Sequence, residues 1–170
     1  IDWDVYKVSK KYFPSLVKGL EKDKRVKFKF GDGIKFVKDS CGKYDVILVD
    51  GTDPSDIAGG LFSTEFFADV KRALKSDGIM AMQSEDPFYD MEIIREVQER
   101  LRKLYKYAAL YLAYIPIYPS GMWSFSIASK KYDPAVRHNK KSKIPKFSYY
   151  TPELHSAAFT LPQFVKDGIK

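Results

Sequence analysis

Apolar and polar positions follow two rhythms along the chain, one of period 3.6 and one of period two. Val5, Val8 and Tyr12 recur at helical spacing over residues 4–13, with Pro14 placed to close that helix. Residues 25–30 (RVKFKF) alternate basic and apolar side chains, which predicts a strand with one wet face. Gly31-Asp32-Gly33 and a short helical run through Phe36 and Val37 follow it. Residues 44–50 (YDVILVD) are nearly all apolar and β-branched, the pattern of a strand buried on both faces of a parallel sheet. Ser63 is placed to cap a helix running to about Leu74, with Asp77-Gly78 as its stop. Residues 79–84 (IMAMQS) predict a further buried strand, and Met91, Ile94, Val97 and Leu101 form one stripe of an amphipathic helix over 90–103.

The rhythm changes after that helix. Residues 107–117 and 122–129 are strand-like runs joined by Tyr118-Pro119-Ser120-Gly121, too close for a crossover helix, so they should pair antiparallel. Strand–helix units closed by a hairpin predict an α/β fold, an open and mostly parallel sheet with one reversed edge. Residues 1–170 read as one domain, with a basic loop at 130–147 and a largely irregular tail at 148–170. Because the chain starts at Ile1, and its first strand–helix unit is expected upstream of it, the chain is expected to be part of a longer protein.

Composition narrows the function classes. At 45% hydrophobic and 30% charged residues the chain can bury a core and is not a disordered segment. A lone cysteine, Cys41, excludes an internal disulfide and supplies too little sulfur for a structural zinc site, so no metal is expected. No apolar run is long enough for a membrane span, and a cytoplasmic location is expected. The net charge of +7 resides almost wholly between Lys130 and Lys146, where seven basic residues face the single acid Asp133. That is a local segment, by default a solvated connection, and not the basic surface of a nucleic-acid-binding domain.

Open α/β sheets bind ligands at the carboxyl ends of their strands. The predicted strands end in Gly31-Asp32-Gly33, in Asp50-Gly51-Thr52-Asp53-Pro54 and in Gln83-Ser84-Glu85. Each motif alone is a common turn or cap. Together they bring acids to one rim, which on a basic protein should attract a cation, most simply an amine. Phosphate is disfavoured there, since those strand ends carry no P-loop and no basic residue.

The same residues resemble the spermidine synthases, the polyamine aminopropyltransferases. The resemblance runs in order through VSKKYFP at 8–14, GDG at 31–33, YDVILVDGTDP at 44–54, GLFSTEFF at 60–67, LKSDGIMAMQSE at 74–85, IPIYPSG at 115–121 and HSAAFTLPQF at 155–164. It implies a Rossmann-like methyltransferase fold that lacks, at its N-terminus, the family's β domain, its glycine-rich first loop and the acid that holds the ribose. It implies transfer of an aminopropyl group from decarboxylated S-adenosylmethionine, a co-substrate and not a cofactor, to putrescine, giving spermidine and methylthioadenosine. The resemblance makes Asp50 the proton acceptor, Asp53 an anchor for an ammonium group, and Tyr118 a hydrogen-bond partner of the attacking nitrogen. Gln83 and Glu85 become further candidates for the acceptor channel. Asp32 and Gly33 match positions that contact adenine, the first by its side chain and the second by its backbone, and Ile57 could add backbone contacts. A homodimer or homotetramer is implied for the parent protein.

Two departures stand out. Gly51 occupies a position where the family usually has Ser or Thr, and Asp56-Ile57 replaces a usual Gly-Pro. The extra acid Asp56 could favour a longer or more highly charged amine such as agmatine or spermidine. Two other readings stay open at this stage: an S-adenosylmethionine-dependent RNA methyltransferase that uses the basic loop as a phosphate clamp, and a non-catalytic binding domain.

Overall fold

A computed structural model describes residues 3–54, 59–136 and 147–170. In chain order it contains α1 (Trp3–Tyr12), α2 (Pro14–Val17), α3 (Gly33–Lys38), β1 (Tyr44–Val49), a 3-10 turn (Gly59–Phe62), α4 (Thr64–Ala73) and β2 (Leu74–Gln83). These are followed by α5 (Met91–Leu104), β3 (Tyr107–Tyr114), β4 (Met122–Ser129), α6 (Pro152–Ala158) and α7 (Gln163–Gly168).

The four strands form one sheet in the order β1-β2-β4-β3. β1 and β2 are parallel, whereas β4 runs antiparallel to both β2 and β3. The described sheet is therefore mixed, with one parallel pair, and not the mostly parallel sheet that the pattern predicted. The difference begins at residues 25–30, which form no strand. Alternation makes a segment competent to pair, but a ladder needs a neighbour. Here Phe28 and Phe30 pack instead on α1, with ring centroids 4.9 Å from Tyr6 and 4.6 Å from Trp3 respectively. Among the described residues β1 is consequently an edge strand. Val46 is 56% exposed and Leu48 74% exposed, so β1 is not buried on both faces.

One face of the sheet carries the core. Ser63 caps α4 by accepting from Phe66 N–H, as its placement in the sequence predicts. The helix buries Phe66, Phe67 and Val70 against Met80 and Met82 of β2, Val97 and Leu101 of α5, and Ala128 of β4. Each such side chain contributes about 1.5–3 kcal/mol when fully removed from water. β2 starts at Leu74, directly after α4, and its pairing with β1 is irregular between Leu74 and Ile79, so Asp77-Gly78 lies within the strand and not in a stop signal.

Two further expectations change. Pro14 does lie beyond the end of α1, but it also opens α2 from its first turn, where a missing N–H costs nothing. The tail at 148–170 is not largely irregular. Thr151 caps α6 through Leu154 N–H, and α7 buries Val165 with Ile169 against Ile94 of α5 and Leu110 of β3.

Candidate functional site

The other face of the sheet is covered over β3 by α6, with Phe159 5.5 Å from Tyr111 between ring centroids, and holds a cavity of about 760 Å³ at the carboxyl ends of β1 and β2. Its walls follow from strand register. Gln83, Phe125 and Tyr111 lie in one cross-strand row, and Leu48 and Ala81 in the row below. Tyr111 and Phe125 stack with centroids 5.2 Å apart. The rim comes from the loop after β1, which contributes Asp50, Gly51, Thr52 and Asp53, and from the β3–β4 hairpin, which contributes Ile115, Tyr118 and Trp123.

The hairpin closes at Tyr118–Gly121. Gly121 N–H donates to the Tyr118 carbonyl at 2.9 Å, and Gly121 has φ +70°, a conformation that favours glycine. Tyr118 stacks on Trp123 at 4.0 Å between centroids and 30° between planes. Trp123 is 7% exposed and donates its indole N–H to Gln83 Oε1 at 3.2 Å.

Gln83 is tied on every side. Oε1 also accepts from Glu85 N–H at 3.1 Å, while Nε2 donates to the Gly51 carbonyl at 3.2 Å and to Glu85 Oε1 at 2.9 Å. Glu85 has φ +72°, the one positive φ outside glycine among the described residues, and is only 3% exposed. A bulky residue in that conformation stores about 1–3 kcal/mol of strain, a pattern that concentrates at functional sites. Burial pushes the Glu85 carboxyl above the ordinary glutamate range; the Gln83 hydrogen bond opposes this, and the nearby charges of Asp53 and Asp90 add to it. Burial likewise raises the Tyr111 phenol.

Of the residues singled out in the sequence, Asp50, Asp53, Gln83 and Tyr118 line this one cavity. Glu85 lies just behind its wall, bonded to Gln83. Asp32 and Gly33 do not line it. Asp32 is exposed at the start of α3, where its Oδ1 accepts from Ile34 N–H at 2.8 Å and Lys35 N–H at 3.2 Å. Only one strand, β1, and not three, therefore delivers acids to the cavity lining. Ile57 and Asp56 lie outside the described residues, as does most of the basic segment. Trp123, Tyr111 and Phe125 were missed in the sequence. Their signal is the period-two alternation within β3 and β4, which becomes informative once the register is known.

Gly51 has a structural explanation. A Cβ on it would sit 2.8 Å from Leu61 Cδ1, so the loop that carries Asp50 and Asp53 passes under the 3-10 turn at van der Waals limit.

A mixed α/β sheet with an acid-rimmed, aromatic-walled cavity at its strand ends has the make-up of a small-molecule enzyme domain. The family profile described as "Spermine/spermidine synthase domain" matches residues 1–140, and the chain belongs to the spermine/spermidine synthase family. It is 46% identical to the polyamine aminopropyltransferase of Caldicellulosiruptor saccharolyticus, over 100% of this chain and 61% of the relative. It is 44% identical to that of Moorella thermoacetica, over 100% of this chain and 60% of the relative. Among solved structures, it superposes on a spermidine synthase bound to the transition-state analogue AdoDATO with a TM-score of 0.88 at 34% identity, covering 99% of this chain and 59% of that one. The spermidine synthase of Thermotoga maritima gives a TM-score of 0.86 at 33% identity, over 99% of this chain and 58% of that chain. The chain thus spans about 60% of the length of the curated relatives it matches. No helix among the described residues is long and apolar enough to cross a membrane.

Proposed function

We propose that this domain transfers an aminopropyl group from decarboxylated S-adenosylmethionine to putrescine, yielding spermidine and methylthioadenosine. The observation that carries this reading is that Asp50, Asp53 and Tyr118 line the same cavity. Family membership adds the chemistry, since its curated relatives are polyamine aminopropyltransferases.

The donor carbon is already activated by its sulfonium, so the enzyme needs no nucleophile of its own. The acceptor is a primary amine, protonated in water with a pKa near that of lysine, about 10.4. It enters as a cation drawn by the acidic rim, and its far ammonium rests against Asp53. Asp50 takes a proton from the near nitrogen, and Tyr118 aligns the lone pair so freed. The nitrogen bonds to the carbon next to sulfur, the C–S bond breaks, and its electron pair leaves on sulfur as the neutral thioether. A carboxylate is a weak base for such an amine, so proximity supplies much of the rate.

Gln83 and Glu85 support the acceptor channel, the first as wall and the second from behind it. Asp32 and Gly33, at the start of α3, are proposed to meet the adenine end of the donor, and Ile57 to add backbone contact. In the whole protein the acceptor is a polyamine precursor, and the assembled form is a homodimer or homotetramer.

The test is product analysis with decarboxylated S-adenosylmethionine and a panel of putrescine, agmatine and spermidine. It is run on the 170-residue chain and on a chimera joining it to the remainder of the 46%-identical relative. Transfer to putrescine in preference to the other amines is expected. Asp50→Asn should lower kcat by about 10²–10⁴, the usual worth of a general base, with donor binding changed less than threefold. Equal losses in both refute the base assignment, and failure of every amine with both proteins refutes the reaction.

A further inference from the structure

We propose that Trp123 and Gln83 act as one positioning unit, holding the loop that carries Asp50 and Asp53 in fixed relation to Tyr118. The catalytic part of this proposal rests on the aminopropyl-transfer reading; its geometric part stands alone.

Gln83 lines the cavity, yet its amide makes four hydrogen bonds and all four go to protein. It is therefore a strut and not a substrate ligand. The orientation of its amide follows from its partners. The Gly51 carbonyl can only accept, while Glu85 N–H and Trp123 indole N–H can only donate. A flipped amide would set oxygen against the Gly51 oxygen and NH₂ against two N–H groups. Trp123 supplies one of the two donors that forbid the flip.

Two opposite parts of the site meet at this pair. Gly51, whose carbonyl Gln83 holds, follows Asp50 directly and precedes Asp53 by two residues. Tyr118 stacks on the Trp123 ring with the two planes 30° apart. The acid that is to accept a proton and the phenol that is to hold the same nitrogen come from opposite ends of the sheet order, yet they share one mechanical connection. Losing the indole N–H while keeping an aromatic ring should release the acid loop and leave the stack on Tyr118 in place.

The geometric readout is ¹H–¹⁵N spectroscopy of the 170-residue chain. It has only two tryptophans, Trp3 and Trp123, so two indole N–H signals report the result. Gln83→Leu should shift the Trp123 signal and the Gly51 and Asp53 amides, and leave the Trp3 signal still. Trp123→Phe should reciprocally shift the Gln83 side-chain amide. Should Gln83→Leu fail to fold, protection of the Gln83 side-chain protons in the unaltered chain, and its loss in Trp123→Phe, decide the same point. The kinetic readout is a double-mutant cycle on whichever protein shows turnover. Each single variant is expected to lower kcat about tenfold with the donor KM within about twofold, and the double variant to lose no more than the worse single, because coupled residues are not additive. Multiplying losses, a donor KM that rises as fast as kcat falls, or an unmoved Trp123 indole signal overturns the proposal. If the unaltered protein transfers to no amine, the reaction falls, and the indole and amide shifts alone accept or reject the unit.

Discussion

Gly51→Ala is the sharpest single perturbation of the acid loop. The added Cβ would lie 2.8 Å from Leu61 Cδ1, whereas two carbons are most favourably placed at roughly 3.5–4.0 Å. The obstacle is the tip of a flexible side chain, so Leu61 can give way by rotating, at about 0.5–1.5 kcal/mol for a displacement of some 30° from its rotamer. Gly51 itself does not lie at positive φ among the described residues. Replacing it therefore also narrows the unfolded ensemble, worth about 0.4–1 kcal/mol in the opposite direction. The net loss should be under about 1 kcal/mol. In a Leu61→Ala background the clash is gone, and Gly51→Ala should become neutral or slightly stabilising. Urea denaturation of the four proteins of this cycle measures the coupling, expected at about 0.5–1.5 kcal/mol. A loss above about 2 kcal/mol for Gly51→Ala, or the same loss in both backgrounds, would show that backbone and not Leu61 limits the loop. Gly51→Ser should behave similarly, because its hydroxyl extends from the same Cβ.

Glu85→Gln tests the buried carboxyl. Its folded-state pKa is raised, so the folded protein holds this proton more tightly than the unfolded chain. Its contribution to stability is complete below the ordinary glutamate range and declines as pH rises through the folded value. The variant lacks that decline, so its urea midpoint relative to the parent should climb from pH 4 to pH 8; parallel curves refute the assignment. Gln98→Met tests a polar group in the core. Gln98 is fully buried, donates to Ala109 O at 3.3 Å and Ser126 Oγ at 2.8 Å, and leaves its Oε1 without a partner. Two lost hydrogen bonds at about 0.5–1.5 kcal/mol each nearly offset relief of an unsatisfied oxygen at about 1–3 kcal/mol. The melting midpoint should hence move by no more than a few degrees, and a large drop would mean that Oε1 is satisfied in solution.

Much of this was readable from local chemistry. Ser63 announced α4, and Tyr118–Gly121 announced the hairpin, because caps and tight turns are decided by neighbouring residues. Asp50, Asp53 and Tyr118 were legible as a motif and do share one cavity. Residues 25–30 misled because a strand is a property of two segments, and alternation in one says nothing about whether the other is there. The α6 and α7 helices, at seven and six residues, are too short to show a period. The advance notice of α6 was Thr151-Pro152, a capping residue followed by proline at the first helical position; α7 begins after Pro162 with no side-chain cap. Trp123 was invisible for a different reason. Its importance lies in which row of the sheet it joins, and that is set by pairing with β2 forty residues earlier in the chain.

The free margin of β1 has a practical corollary. Among the described residues of the 170-residue chain β1 has no neighbour on its outer side, and a strand so placed presents unpaired amides and carbonyls to any chain that can dock alongside. Here the flanking Val46 and Leu48 add apolar reward to that contact. The nearest restraint is charge: Asp45, held by Lys75 at 2.8 Å, near the start of the strand. Concentrated solutions should consequently stack edge to edge, with a light-scattering onset that comes earlier when Asp45→Ala removes that gatekeeper and later when Leu48→Lys installs another.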